Sequence, residues 1–162
     1  MANNVLVEFN DGGSAAPTLT AFTITVASLV TSASGVGRQA DMVSNASTRY
    51  RKLLVWAKIK LGTSPTSNKA VTIYAIRGDA AGNRTDGAGA SDAAWTAKNA
   101  QVIGQLSTGA SASTGDVLQD WFVFNDPGPQ FAIGIAHDSG VNLDSTGGNH
   151  AIGWIGENPE IQ

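Results

Sequence analysis

The stretch YRKLLVWAKIKLGTSPTSNKAVTIYAIR, residues 50–77, carries two runs of alternating side chains hinged on a Pro/Ser/Asn turn. Leu53, Val55, Ala57, Ile59 and Leu61 fall on one face, with Leu54, Trp56, Lys58 and Lys60 on the other. After the turn, Val71, Ile73 and Ala75 oppose Thr72, Tyr74 and Ile76. Successive side chains of a strand point to opposite faces, so a period of two predicts a strand pair with one face on a core. Lys58 and Lys60 read as part of the solvated face.

The same style continues outward. Val5-Leu6-Val7-Glu8-Phe9 alternates, and the turn-rich run Asn10 to Ser14 follows, with Pro17 beyond it. Thr18 to Thr31 is rich in β-branched residues and suits a strand or an extended arm. Ser32 to Ser47 reads as a loop. Past Arg77 lies the longest irregular stretch, centred on GDAAGNRTDGAGASDAAW, in which Asp92 to Lys98 has room for one helical turn. Strands resume over residues 101–106, 117–124, 130–137 and 150–155, with Asn125-Asp126-Pro127-Gly128 as a strong turn. In the third of these, Phe131, Ile133 and Ile135 alternate with Ala132, Gly134 and Ala136, a half-small pattern expected where another backbone or sheet approaches closely. About eight strands between Gly/Pro/Asn signals predict an all-β, antiparallel β-sandwich of jelly-roll type with a long Gly/Ala/Asp-rich loop. A single compact domain is expected, with residues 1–31 as an N-terminal arm or strand region and 32–162 as the sandwich.

Composition removes several function classes. Cysteine is absent, which excludes disulfides and thiolate chemistry. Ten Lys and Arg stand against 13 Asp and Glu, a balance that argues against nucleic acid as a partner. The Met-Ala-Asn-Asn start lacks the features of a secretory signal, and no apolar run is long enough for a membrane helix. Charged residues are 14% of the chain, well below the ~25% of a typical soluble domain. That dilution fits a surface covered by copies of itself or by a partner.

Candidate chemistry is sparse. His137-Asp138-Ser139 places three triad residue types side by side, whereas triad members converge from separate elements. Asp116 and Asp120 flank the Trp121 strand and form the least implausible carboxylate pair for a hydrolase. Asp79, Asn83, Asp86 and Asp92 are a weak calcium candidate, since oxygen ligands around a glycine turn suit a hard cation but the EF-hand spacing is missing. No other metal site and no cofactor is expected. Arg77-Gly78-Asp79 matches an integrin-binding tripeptide and reads as coincidence; the sequons at Asn45 and Asn83 are idle without a secretory route. The aromatics are the better lead. Trp56 and Trp121, on alternating strands, are expected in the core, whereas Trp95, in the long loop, is expected to be exposed and to bind a partner.

Taken in order, RYRKLLVWAKIKLG, AVTIYAIRGDAAGN, TDGAGASDAAW, AQVIGQLST, VLQDWFVF and QFAIGIAHDSGVNLDSTGGNHAIGWIGE resemble small jelly-roll structural proteins of tailed-phage virions, including capsid decoration (cement) proteins and minor head or tail proteins. The resemblance spans roughly residues 45 to 156. It implies a non-enzymatic virion protein, assembled in the host cytoplasm, that binds and stabilises the outer shell. Its implied partners are the major capsid protein or other virion proteins and copies of itself, with a trimer favoured. Beside this reading, Val5, Val7 and Phe9 are expected to add a strand to a neighbour's sheet edge. The alternative is a carbohydrate-binding β-sandwich module, possibly in a phage tail or fibre, with Trp95 stacking on sugar rings.

Overall fold

A computed structural model describes residues 5–9 and 18–161, with side-chain detail over 18–158. The described chain is all-β: β1 (Val5–Phe9), β2 (Thr20–Ala21), β3 (Val36–Gln39), β4 (Val43–Ser44), β5 (Lys52–Lys60), β6 (Ala70–Gly78), β7 (Ala93–Thr96), β8 (Gln101–Ser107), β9 (Val117–Asn125), β10 (Gln130–His137) and β11 (Ala151–Ile161). One 3-10 turn, Gly147–Asn149, precedes β11. Among the described residues no helix is long and apolar enough to cross a membrane.

The strands form two antiparallel sheets. The first runs β1-β11-β5-β9, with β2 also on β11, and the second runs β7-β3-β10-β6-β8, with β4 also on β10. The alternation read from residues 50–77 is present: Leu53, Val55, Ala57, Ile59, Val71, Ile73 and Ala75 are all buried. Their strands, however, are not a hairpin. β5 and β6 lie in different sheets and face each other across the core. Two strands with fully apolar inner faces fill a gap between sheets ~10 Å apart, and the link over 61–69 is long enough to cross it.

At one end of the core the aromatic rings cluster. Phe131 meets Trp154 edge-on with centroids 5.1 Å apart, and Phe22 and Phe124 each lie 6.2 Å from Phe131. Edge-to-face pairs of this kind add to the burial energy of each ring. Phe22 and Val26 are buried, so residues 18–31 belong to the sandwich rather than to a free arm. Only Thr20–Ala21 of that stretch is strand. β1 does add a strand to a sheet edge, that of its own chain, with Val5 opposite Ile161 and Phe9 opposite Glu157. The Val5, Val7 and Phe9 side chains, Met1 to Asn4, and the turn run through Pro17 lie outside the described residues.

Other expectations change in detail. Eleven strands replace about eight, because β3 and β4 form inside the expected loop over 32–47 and β7 forms where a helical turn was expected. Pairing decides this: Val36 to Gln39 joins Gly134–Ala136 on one side and Ala93–Thr96 on the other. What approaches Gly134 on β10 is the ring of a side chain, Trp95, where a backbone or sheet was expected. Ala132, Gly134 and Ala136 point to the face opposite Phe131, Ile133 and Ile135 and are buried there, and a β-carbon on Gly134 would lie 2.5 Å from the Trp95 ring.

Candidate functional site

Trp95 and Trp121 exchange their expected places, and Trp56 is half-buried. Trp95 is only 4% exposed; its ring packs on Gly134 and lies edge-on to Tyr74, 5.2 Å between centroids. Its indole N–H donates to the Asp86 carbonyl. Trp95 is therefore the anchor that holds the long loop down on the second sheet. Around it, the Gln39 amide donates to the carbonyls of Gly89 and Ser91 and its oxygen accepts from the Ala88 N–H. Trp121, expected inside, is 47% exposed.

The register explains this. β5 pairs with β9 so that Val55 faces Phe122 and Leu53 faces Phe124 on the core side. The alternate pairs, Leu54 with Val123 and Trp56 with Trp121, then point to solvent. Trp56 and Trp121 pack together there with centroids 5.2 Å apart and planes tilted by 46°. Six large apolar side chains are strongly exposed among the described residues, and four of them, Val102, Val117, Trp121 and Val123, lie on β8 and β9. These are the edge strands of the two sheets, and they adjoin on one side of the sandwich, where the Phe122 ring fills the space a Gly104 side chain would need. The exposed apolar side chains are thus concentrated on one side of the sandwich. Lys58 and Lys60 border it, and Lys60 is paired with Asp144 at 3.4 Å.

The residues considered for catalysis or metal binding hold up the structure. Each Asp of the calcium candidate serves a different local purpose. Asp79 accepts from the side chain and backbone N–H of Asn83, which holds its carboxyl below the usual range. One Asp86 oxygen accepts the N–H groups of Lys98, Asn99 and Ala100. Asp92 binds the Arg38 guanidinium at 2.5 Å and the Thr25 hydroxyl at 2.6 Å. Burial works to raise the Asp92 pKa, but these bonds outweigh it and leave the carboxyl below its ordinary value. Asn83 is likewise spent on Asp79. Among the described residues no group of three or more His or acidic side chains is placed to hold a metal.

Asp116 accepts the Ser113 N–H and Asp120 accepts the N–H of its neighbour Trp121. His137 and Ser139 do meet, at 3.0 Å between Nδ1 and Oγ, despite being two residues apart. Both are buried, and Nε2 faces the Leu29 carbonyl at 2.9 Å. A carbonyl only accepts, so Nε2 carries the proton and the imidazole ties residue 29 to the end of β10. Burial pushes the His137 pKa down. Asp138 turns instead to the Ala70 N–H and Lys69. Arg77 of the Arg-Gly-Asp tripeptide donates to the carbonyls of Asn125 and Asp126 and sits 4.8 Å over the Phe124 ring. Asn45 is buried with its amide spent on the carbonyls of Tyr50 and Gly128, so that sequon nitrogen has a structural use.

No family model matches the chain, and neither the curated proteins nor the solved structures give a match.

Proposed function

We propose that the protein is a non-enzymatic structural component of a tailed-phage virion, a decoration protein that docks on the outer capsid shell as an oligomer. The jelly-roll assignment of its two-sheet sandwich belongs to the same proposal. The observation that carries the docking is the apolar solvent face on which Trp121 and Val123 of the edge strand β9 are exposed beside the half-buried Leu54 and Trp56 of β5. Exposed tryptophans are strong interface anchors because each buries a large area at low entropic cost. The virion context rests on the resemblance of residues 45 to 156, and repetition of a modest contact over a symmetric shell multiplies its effect.

The test is co-sedimentation of the purified chain with shells of the phage that encodes it. Wild type is expected to bind, and a Trp56→Ala/Trp121→Ala double variant with an intact fold is expected to lose at least about tenfold in affinity. Equal binding by both would overturn the assignment of the docking face. The carbohydrate module stays as a second reading because a tilted aromatic pair on an open sheet face also suits sugar stacking. Glycan-array binding that depends on Trp121, without shell binding, would select it.

A further inference from the structure

The exposed side carries a second feature besides its apolar surface, the free hydrogen-bonding edge of β9. In an antiparallel ladder, alternate residues point their backbone groups at the partner strand and away from it. The bonds Leu61 N–H to Asp116 O and Asp126 N–H to Arg51 O, both 2.9 Å, bracket the β5–β9 ladder. They assign the even-numbered β9 residues to β5. The odd-numbered residues Gln119, Trp121 and Val123 therefore turn their N–H and C=O groups to the open edge. Two outward groups are already occupied: the Trp121 N–H by the Asp120 carboxylate at 2.8 Å, and the Asn125 carbonyl by Arg77 at 2.8 Å. Charged groups placed at an edge in this way block promiscuous strand pairing.

We infer that β9 is a strand-addition site, and that its partner is an extended segment of another protein carrying a Lys or Arg opposite Asp120 between two apolar residues. This deepens the docking role proposed above and rests on it. For a strand to pair with β9, its carbonyl takes the Trp121 N–H and the Asp120 carboxylate is displaced. Residues opposite Asp120 form a non-hydrogen-bonded pair, the closer kind, with Cα atoms ~4.5 Å apart. A displaced carboxylate beside a newly paired strand needs a cation, and a Lys or Arg at that position supplies it. The residues flanking that cation fall on the other face, against Trp121 and its neighbours Gln119 and Val123, where apolar side chains cover the indole. A second copy pairing through its own β9 does not meet the requirement. The segment VLQDWFVFN contains no cation, and the register centred one residue before Trp121 sets Asp120 opposite Asp120. Like charges directly opposite are destabilising.

The test uses the full chain, isotope-labelled for amide detection, with three capped nine-residue peptides of alternating Thr and Val. One has a central Lys, the second a central Glu, and the third is the Lys peptide with backbone N-methylation on its bonding edge. The Lys peptide is expected to shift and protect the amides of Gln119, Trp121 and Val123. It should bind roughly five- to tenfold more tightly than the Glu peptide, and the N-methylated peptide should not bind. Asp120→Asn is expected to bring the Lys and Glu peptides within about twofold of each other. Absence of protection at these amides by the Lys peptide, or equal binding of Lys and Glu peptides to wild type, overturns the strand-addition site. Shell binding that still depends on Trp56 and Trp121 would then leave the docking role standing, so the two failures are separable.

Discussion

Replacing Trp95 and Trp121 one at a time by alanine separates an anchor from a contact residue. Trp95 is buried against Gly134 and Tyr74 and donates to Asp86. Removing a buried aromatic costs ~3–5 kcal/mol, and losing its hydrogen bond adds about 1 kcal/mol. For a chain of this size each kcal/mol moves the melting temperature by ~2–4 °C, so Trp95→Ala is expected to melt roughly 8–24 °C below wild type. Trp121 is half exposed and loses mainly its packing on Trp56, about 1–2 kcal/mol, or roughly 2–8 °C.

The assay is thermal unfolding followed by circular dichroism, with iodide quenching of tryptophan fluorescence as an independent readout. Trp121→Ala should remove much of the quencher-accessible emission, and Trp95→Ala should leave that fraction in place until the loop it anchors is released. A Trp95→Ala protein that melts within about 2 °C of wild type would refute the anchoring argument. So would a larger loss from Trp121→Ala than from Trp95→Ala. Either result would return Trp95 to the surface role expected from its place in a Gly/Ala/Asp-rich loop.

Two further outcomes follow from the packing. Gly104→Ala places a β-carbon 1.9 Å from the Phe122 ring, so the two edge strands must part; a loss of ~1–3 kcal/mol is expected, partly restored when Phe122→Leu is added, and purely additive losses would refute the contact. His137 is held neutral by burial, so the native state binds fewer protons than the unfolded chain and stability is full above the ordinary histidine pKa of ~6.5. It should fall as pH drops below about 6.5 towards the depressed native value, and His137→Gln should flatten the slope just below pH ~6.5; a wild-type slope of zero or opposite sign there would refute the burial argument.

The parts of the fold written in the sequence are those with local, repeated causes. The period of two in β5, β6 and β10 fixed which side chains enter the core, and Asp126 and Gly128, with φ of 46° and 78°, do form the turn expected at Asn125–Gly128. The small side chains of β10 announced a close neighbour without naming it. That neighbour, Trp95, comes from a loop with no periodicity, positioned by polar groups whose partners are distant in sequence. Gln39 reaches residues 88–91, and Arg38 reaches Asp92. A buried glutamine with three backbone partners leaves no mark in a sequence, because any loop of suitable shape supplies the same carbonyls and amides.

The exposed apolar face illustrates a second limit. Alternation says that Trp56 lies opposite in sense to Val55, and Trp121 to Phe122, but both tryptophans sit on strands whose other face is also largely apolar. With Leu54 and Val123 beside them, the outer face of the β5–β9 pair is apolar around the tryptophans, and only Lys58 and Lys60 at one end of β5 mark it as solvated. What decides is the pairing across the sheet: Val55, Leu53, Phe122 and Phe124 share one face only in the register that sends both tryptophans outward. That face then meets the aromatic cluster of Phe131 and Trp154, which a Trp56–Trp121 face would overfill. The exposed pair is thus the remainder of a choice made by the core. The same choice leaves exposed apolar surface and a strand edge together on β9, with the Asp120 carboxylate on the Trp121 N–H.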